Sequence, residues 1–274
     1  MIDPDKNYEV DFNYSHEHFD NDRPDTWIKY TNPTSVVDVG YKLNSYGYRC
    51  DEFDLQSELP IVFMGCSHTF GLGVPLEDTW AYKTISNIRA KTNKTIPYWN
   101  LARNGSSIDL QFWNLNKHIE QLKPKFIFFL IPAIYRRLPV FDYRFHEFQV
   151  NENHASESSL PVEIQKASGL FVNESYAIFE TYKYFMLINA LCERHGTQLL
   201  FQYSDIYEGE NSYTFLRDHN NYSMFKKLDT HFVDMRTNGV NDRRLDYARD
   251  RMHRGPLSNK AFADALWQEI NTYF

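Results

Sequence analysis

The chain has 274 residues and a net charge of −7, long enough for one full α/β domain and too acidic for a general nucleic-acid role. It contains no apolar run of membrane-spanning length, and Met1-Ile-Asp-Pro-Asp-Lys lacks the basic and apolar regions of a secretory signal, so a cytoplasmic location is expected. Three scattered cysteines, Cys50, Cys66 and Cys192, are too few for a disulfide framework and fit a reducing compartment.

Residues 1 to about 58 are polar, aromatic and turn-rich, with Asp-Pro, Arg-Pro and Asn-Pro punctuation. They are expected to form an irregular extension packed on the core, with one short strand near Ser35–Val39. The domain proper is expected over 59–274. Pro60–Gly65 reads as a buried strand that delivers Ser67 into a loop, followed by a helix over Thr79–Ala90 and a strand over Ile96–Leu101. A helix from about Ser107 carries Ile108, Phe112, Leu115, Ile119 and Leu122 at amphipathic spacing. Strand three is Lys125–Ile131. Residues 136–173 read as a long polar and aromatic insertion, which in a compact domain is more often functional than idle.

A helix over Glu174–His195 should end at Gly196, a C-cap candidate. Gln198–Gln202 and His231–Asp234 read as strands four and five. A last helix starting at Ser258 presents Phe262, Ala265, Leu266 and Ile270 inward. Such alternation predicts a three-layer αβα sandwich around a mostly parallel five-stranded sheet of flavodoxin-like type, with sites at the strands' C-terminal edge.

That edge gathers the residues that carry chemistry. Gly65-Cys-Ser-His-Thr-Phe-Gly71 presents one serine at a strand end, where an α/β enzyme places a nucleophile. A tight turn whose serine bonds local backbone gives the same pattern. A serine hydroxyl needs a neutral imidazole to take its proton and a carboxylate to fix the imidazole's tautomer. Asp250 and His253, three apart and just ahead of the last helix, offer both at the same edge of the sheet. With 10 histidines and 36 acidic residues such pairs also arise by chance, so position rather than spacing is the argument. His219 and His231 compete for the role of base; Asp229-x-His231 falls in an expected strand, which would turn its imidazole into the core. His16-Glu-His18 could place two imidazoles on one face, but no third ligand accompanies them, and no metal or other cofactor is expected.

These blocks, in this order, resemble the SGNH hydrolase superfamily, the GDSL-type esterases and lipases. Gly65-Cys66-Ser67-His68-Thr69-Phe70-Gly71 is similar to the family's first block apart from Cys66 and His68. Gly73-Val74 and Glu77-Asp78-Thr79-Trp80 continue the likeness. Asn44-Ser-Tyr-Gly-Tyr-Arg49 resembles a segment that precedes the core in one branch. Asn100-Leu-Ala-Arg-Asn-Gly105 is similar to the second block, and Asp250 with His253 to the last. The likeness spans roughly Asn44 to the C-terminus. It implies Ser67 as nucleophile, His253 as base, Asp250 as orienter, and the N–H groups of Ser67 and Gly105 as an oxyanion hole.

The third block, Gly-x-Asn-Asp, is missing: the third strand runs instead into Pro132-Ala-Ile-Tyr-Arg-Arg137. Asn104, Tyr135 and Arg136 are the substitute donors considered, and His68 a pocket residue; an arginine at 136 also reads as a surface ion pair. Cys66 stands where the family usually has Asp and reads as a small residue beside the helix start. Arg243, Arg244, Arg249, Arg251 and Arg254 could attract an anionic substrate, although Asp242, Asp246 and Asp250 suggest self-neutralising pairs.

By family analogy the expected activity is hydrolysis of an O-acyl (acetyl) ester of a carbohydrate, with a small-molecule or carbohydrate substrate and no nucleic-acid or membrane partner. Two further readings stay open: a degenerate SGNH-fold binding or structural module, and an O-acyltransferase using the same triad. The Gly65–Gly71 segment also resembles stretches of uncharacterised bacteriophage proteins, which would make the module a virion component.

Overall fold

The computed structural model describes residues 39, 41–137, 140–141, 144–145, 148–149, 173–204, 225–227, 245–248 and 253–274. The expected strand near Ser35–Val39 falls outside these residues except for Val39.

The core begins at β1, Ile61–Met64, every residue of which is buried. An all-apolar strand of this kind fits the middle of a parallel sheet, covered on both faces. The chain then enters a one-turn helix, α1 (Ser67–Phe70), so Ser67 is the first residue of a helix and not a loop residue. After a 3-10 turn at Leu76–Asp78 comes α2, Trp80–Thr92, with Thr79 as N-cap accepting from the Tyr82 N–H. Next are β2 (Trp99–Asn100) and α3 (Ile108–Leu122), the latter capped by Ser107 through the Leu110 N–H. Then follow β3 (Phe126–Ile131) and four two-residue strands, β4 (Arg136–Arg137), β5 (Val140–Phe141), β6 (Arg144–Phe145) and β7 (Phe148–Gln149). Those four pair antiparallel as β4 with β7 and β5 with β6, apart from the main sheet. Helix α4 spans Glu174–His195 and ends at Gly196, whose φ of 64° is the left-handed cap that glycine accepts without strain. The chain closes with β8 (Gln198–Tyr203), β9 (Phe225–Lys227) and α5 (Pro256–Ile270).

The main sheet has five strands in the order β2-β1-β3-β8-β9, every pairing parallel. The fifth strand is thus Phe225–Lys227, earlier than expected; His231–Asp234 lie outside the described residues. Two apolar clusters flank the sheet. One joins Val62, Met64, Ile127 and Phe129 to α3 and α4; the other joins Ile61, Phe63, Phe128 and Leu130 to α2 and α5. Alternate residues of each strand feed opposite layers, which is the period-two rule of a strand at work on two sides.

Two expectations need correction at the margins. Strand β2 is two residues long where six were expected. Pro97 has no N–H to donate, and the N–H and carbonyl of Tyr98 are taken by the carboxylate and N–H of Asp51, from the preceding segment. Helix α5 starts at Pro256 and not Ser258: proline at the first position wastes no donor, and the Asp246 carboxylate accepts from the N–H groups of Leu257 and Ser258, both at 2.9 Å. The inward face is therefore Ser258, Asn259, Phe262, Ala263, Leu266 and Ile270, and Ala265 points to solvent.

All three cysteines are free thiols. Burial pushes the Cys192 thiol up to about 12 and that of Cys50 higher still, so neither supplies a thiolate near neutrality.

One buried titratable group couples the fold to pH. His118, on α3, sits among the rings of Tyr46, Tyr48 and Phe53 at 5.0–5.5 Å between centroids. Burial, then the charges of Lys117 and Arg103, hold its imidazole down at about 4, against 6.5 unperturbed. The unfolded chain therefore takes up a proton below pH 6.5 that the folded chain refuses until about pH 4, and stability is lost as pH falls through that window. At about 1.4 kcal/mol per pKa unit, the loss between pH 7 and 4.5 is of order 2 kcal/mol. Urea denaturation of wild type and His118→Phe at both pH values should show the larger drop in wild type; equal drops would exclude His118 as the source.

Candidate active site

The nucleophile segment is built around its glycines. Gly65 has φ 152°, and a Cβ there would lie 2.3 Å from Thr69 Oγ1 and 2.9 Å from the Leu130 carbonyl, so only glycine lets the strand turn straight into α1. Gly71 closes α1 at φ 81°, its N–H donating to the Ser67 carbonyl. One helical turn is thereby pinned at both ends, and Ser67, only 2% exposed, is held at its first position.

Four side chains from elsewhere tie down this segment. Gln111 of α3 accepts the Gly65 N–H through Oε1 at 3.0 Å. Asn100 at the end of β2 donates to the Thr69 carbonyl at 2.9 Å and accepts from the Ala102 N–H. Arg49 donates to the carbonyls of Phe70, Gly71 and Val74 at 3.3, 2.6 and 3.0 Å, its guanidinium lying 4.6 Å from the Tyr41 ring centroid. The Tyr41 hydroxyl accepts the Gly73 N–H. The Asn44–Arg49 segment noted in the sequence is thus part of the support beneath the serine.

The second element arrives from the far end of the chain. Residues 246–248 and 253–255 form a short antiparallel ladder: the Ala248 N–H donates to the His253 carbonyl, the Gly255 N–H to the Asp246 carbonyl, and Tyr247 pairs with Arg254. Helix α5 anchors this ladder through the Asp246 cap and through Asn259, which donates to the Arg254 and Gly255 carbonyls and accepts the Trp80 N–H. The ladder delivers His253, whose Nε2 lies 2.6 Å from Ser67 Oγ, 186 positions away in sequence. With Nε2 accepting the hydroxyl proton, Nδ1 carries the ring's own hydrogen.

Asp250 lies outside the described residues, in the connection between Ala248 and His253. Asp246, the nearby acid that is described, has both carboxylate oxygens engaged at the start of α5, where it caps the helix; Arg243, Arg244, Arg249 and Arg251 lie outside the described residues. His219, His231, His16 and His18 also lie outside the described residues.

On the neighbouring strand, the Leu101 N–H donates to the Phe63 carbonyl and the Arg103 N–H to the Gly65 carbonyl, extending the β1–β2 register. Ser67 and Gly105 therefore each stand two residues beyond the last bonded pair of adjacent strands. Gly105 has φ 75° in a turn closed by the Ser106 N–H on the Arg103 carbonyl.

Among the described residues, the cleft beside Ser67 is lined by His68, Gly71, Leu72, Val74, His253, Arg254 and Asn259. The substitute donors considered from sequence, Asn104, Tyr135 and Arg136, are not among these residues. The neighbouring Arg137, at the end of that segment, is buried and donates to the carbonyls of Ile134, Arg136 and Ala177. His68 is a lining residue, its ring 4.9 Å from that of His253, and Arg254, 4% exposed, is one too, rather than a surface charge. Cys66 is the buried N-cap of α1. Among the described residues no cluster of His, Cys, Asp and Glu could hold a metal, and no helix is long and apolar enough to cross a membrane.

No protein-family model and no curated protein matches the chain. Solved structures do. The lipase Lip_vut3 from a goat rumen metagenome matches with a TM-score of 0.50 and 18% identity, covering 77% of this chain and 97% of that one. A Clostridium thermocellum family 3 carbohydrate esterase matches with a TM-score of 0.50 and 11% identity, covering 78% and 96%. The chain shares the fold of these two structures. Identities of 18% and 11% speak for the fold alone.

Proposed function

We propose that this chain is a serine ester hydrolase of SGNH type, acting on a short acyl ester, an O-acetyl group of a carbohydrate being the favoured substrate. The observation that carries the reading is the 2.6 Å approach of His253 Nε2 to Ser67 Oγ, made by elements from opposite ends of the chain and buttressed on both sides. A serine kept merely to bond its own backbone has no need of an imidazole brought 186 residues to meet it.

In this reading Ser67 Oγ attacks the acyl carbon while its proton passes to His253 Nε2, and Asp250 steadies the imidazolium through Nδ1. The N–H groups of Ser67 and Gly105 receive the oxyanion. Collapse breaks the ester C–O bond, and the leaving sugar oxygen takes the proton from His253. Water then repeats the sequence on the acyl-serine: His253 accepts its proton, acetate departs, and the Ser67 hydroxyl is restored.

Support for a sugar ester is the exposed ring of Tyr247, paired with the lining residue Arg254 on the ladder that carries His253; an exposed ring with an apolar face suits a sugar.

Two assays test this. A p-nitrophenyl alkylphosphonate should lose p-nitrophenolate and leave a P–O bond on Ser67 Oγ, seen as one equivalent of mass on the peptide containing Ser67. Turnover should fall steeply from p-nitrophenyl acetate to the octanoate, and acetate should be released from an acetylated polysaccharide. Octanoate hydrolysed as fast as acetate would remove the short-acyl reading. No labelling and no turnover would leave the fold as a binding module.

A further inference from the structure

We infer that Gln111 is a positioning residue for the oxyanion hole, an amide strut that sets the separation of the Ser67 and Gly105 segments. The inference rests on the hydrolase reading above. Gln111 is fully buried on α3, and its side-chain amide is used at both ends. Oε1 accepts the N–H of Gly65, two residues before Ser67, at 3.0 Å. Nε2 donates to the Ser106 hydroxyl at 2.7 Å and to the Leu101 carbonyl at 3.4 Å, bracketing the turn that contains Gly105.

Asn100 also joins the two segments, donating to the Thr69 carbonyl and accepting the Ala102 N–H, but it grips the chain before the turn, whereas Gln111 reaches Ser106 beyond Gly105. Past the Leu101–Phe63 bond at 2.8 Å, the next rung, from the Arg103 N–H to the Gly65 carbonyl, is stretched to 3.4 Å. Both chains then leave the sheet, Gly65 into α1 and Arg103 into its turn, so ladder geometry no longer fixes how far apart the Ser67 and Gly105 N–H groups lie. A primary amide of this length accepts from one loop and donates to the other at the same time. Glutamate at neutral pH only accepts, and a hydrocarbon of the same length does neither. Rigid third-party support of this kind matters most in a chain that lacks the usual third-block Asn, because the two remaining N–H groups then carry the oxyanion themselves. Preorganised donors work only at fixed positions, and misplacement of about 1 Å can cost of order 10²-fold in rate.

The test compares Gln111→Met, which keeps length and volume but removes both hydrogen-bonding functions, with Ile119→Val on the same helix, which loosens the core without touching the strut. With p-nitrophenyl acetate, Gln111→Met should lower kcat by about 10- to 10²-fold with KM within about threefold, and slow phosphonylation of Ser67 in parallel. Ile119→Val should lower Tm and leave kcat unchanged. Gln111→Glu, should the methionine variant fail to fold, keeps the acceptor for Gly65 and should fall between wild type and the expected Met value. Wild type active with kcat unchanged in Gln111→Met or Gln111→Glu, or kcat lost equally in Ile119→Val, overturns the inference while the hydrolase reading survives. Wild type inert to ester and phosphonate alike overturns both.

Discussion

Replacing Ser67 by alanine should reduce ester turnover by at least about 10⁴-fold, and His253→Ala should do the same, with the double variant no worse than either. Members of a nucleophile–base unit fail together, because a hydroxyl without its base and a base without its hydroxyl are equally idle. The residual rate, some 10³-fold or more above water, would come from the N–H groups that still bind the oxyanion. Stability should hardly follow. Ser67→Ala removes one small polar group and its 2.6 Å hydrogen bond to Nε2, a loss of about 1 kcal/mol, and leaves the caps of α1 in place. His253→Ala costs more, since its ring also packs against His68. The informative measurement is therefore kcat/KM with p-nitrophenyl acetate beside a denaturation curve for each variant. A Ser67→Ala protein that still turns over at a tenth of the wild-type rate would remove Ser67 from the chemistry.

Much of this architecture can be read from short-range pattern. The apolar runs at Ile61–Met64 and Phe126–Ile131 read as buried strands, and the helix caps at Thr79, Ser107, Asn173 and Gly196 all stand where local rules put them. What local rules missed has a common cause. The cap of α5 is supplied by Asp246, eleven residues upstream of Leu257, so a nearby serine was the natural but mistaken choice. Trp99–Asn100 is short because the segment around Asp51 takes the hydrogen bonds of Tyr98, a competition that no window of sequence displays.

The same holds at the site. The segment around Ser67 fits a tight turn as well as a nucleophile, and it stood out only beside His253, which precedes the last helix at the same sheet edge. Gln111 was overlooked as a polar residue on an amphipathic helix. Its signal was present: it stands three residues after Ile108 and four before Leu115, inside the apolar stripe, where an amide needs a partner. Asn100 and Arg49 were seen as parts of blocks, yet their work, bonding the carbonyls of the nucleophile segment, is a long-range property of the folded chain. Arg254 was one of five arginines read as attracting an anionic substrate or pairing with nearby Asp, and the ladder with Tyr247 that buries it joins segments too irregular to show a period.

That support beneath the serine yields the largest expected change in stability. Arg49→Met should destabilise the protein by about 3 kcal/mol and lower turnover as well. The guanidinium is 1% exposed and its Nη atoms bond the carbonyls of Phe70, Gly71 and Val74, while its face lies over Tyr41 and Phe70. Without it three buried acceptors lose their donor, each at roughly 1–3 kcal/mol if left unpaired. Against this stands the relief of no longer burying a charge, which is why the net falls well short of the sum. Lysine should not rescue, because one ammonium cannot span carbonyls that a planar fork reaches from two nitrogens. Guanidinium denaturation should show the midpoint falling with the slope unchanged for both Arg49→Met and Arg49→Lys. Because the lost bonds end α1 and the turn behind it, kcat should fall while the 2.6 Å pair itself is untouched in sequence. Arg49→Lys with wild-type stability and turnover would show that charge alone suffices there, and that the fork geometry does nothing for the nucleophile.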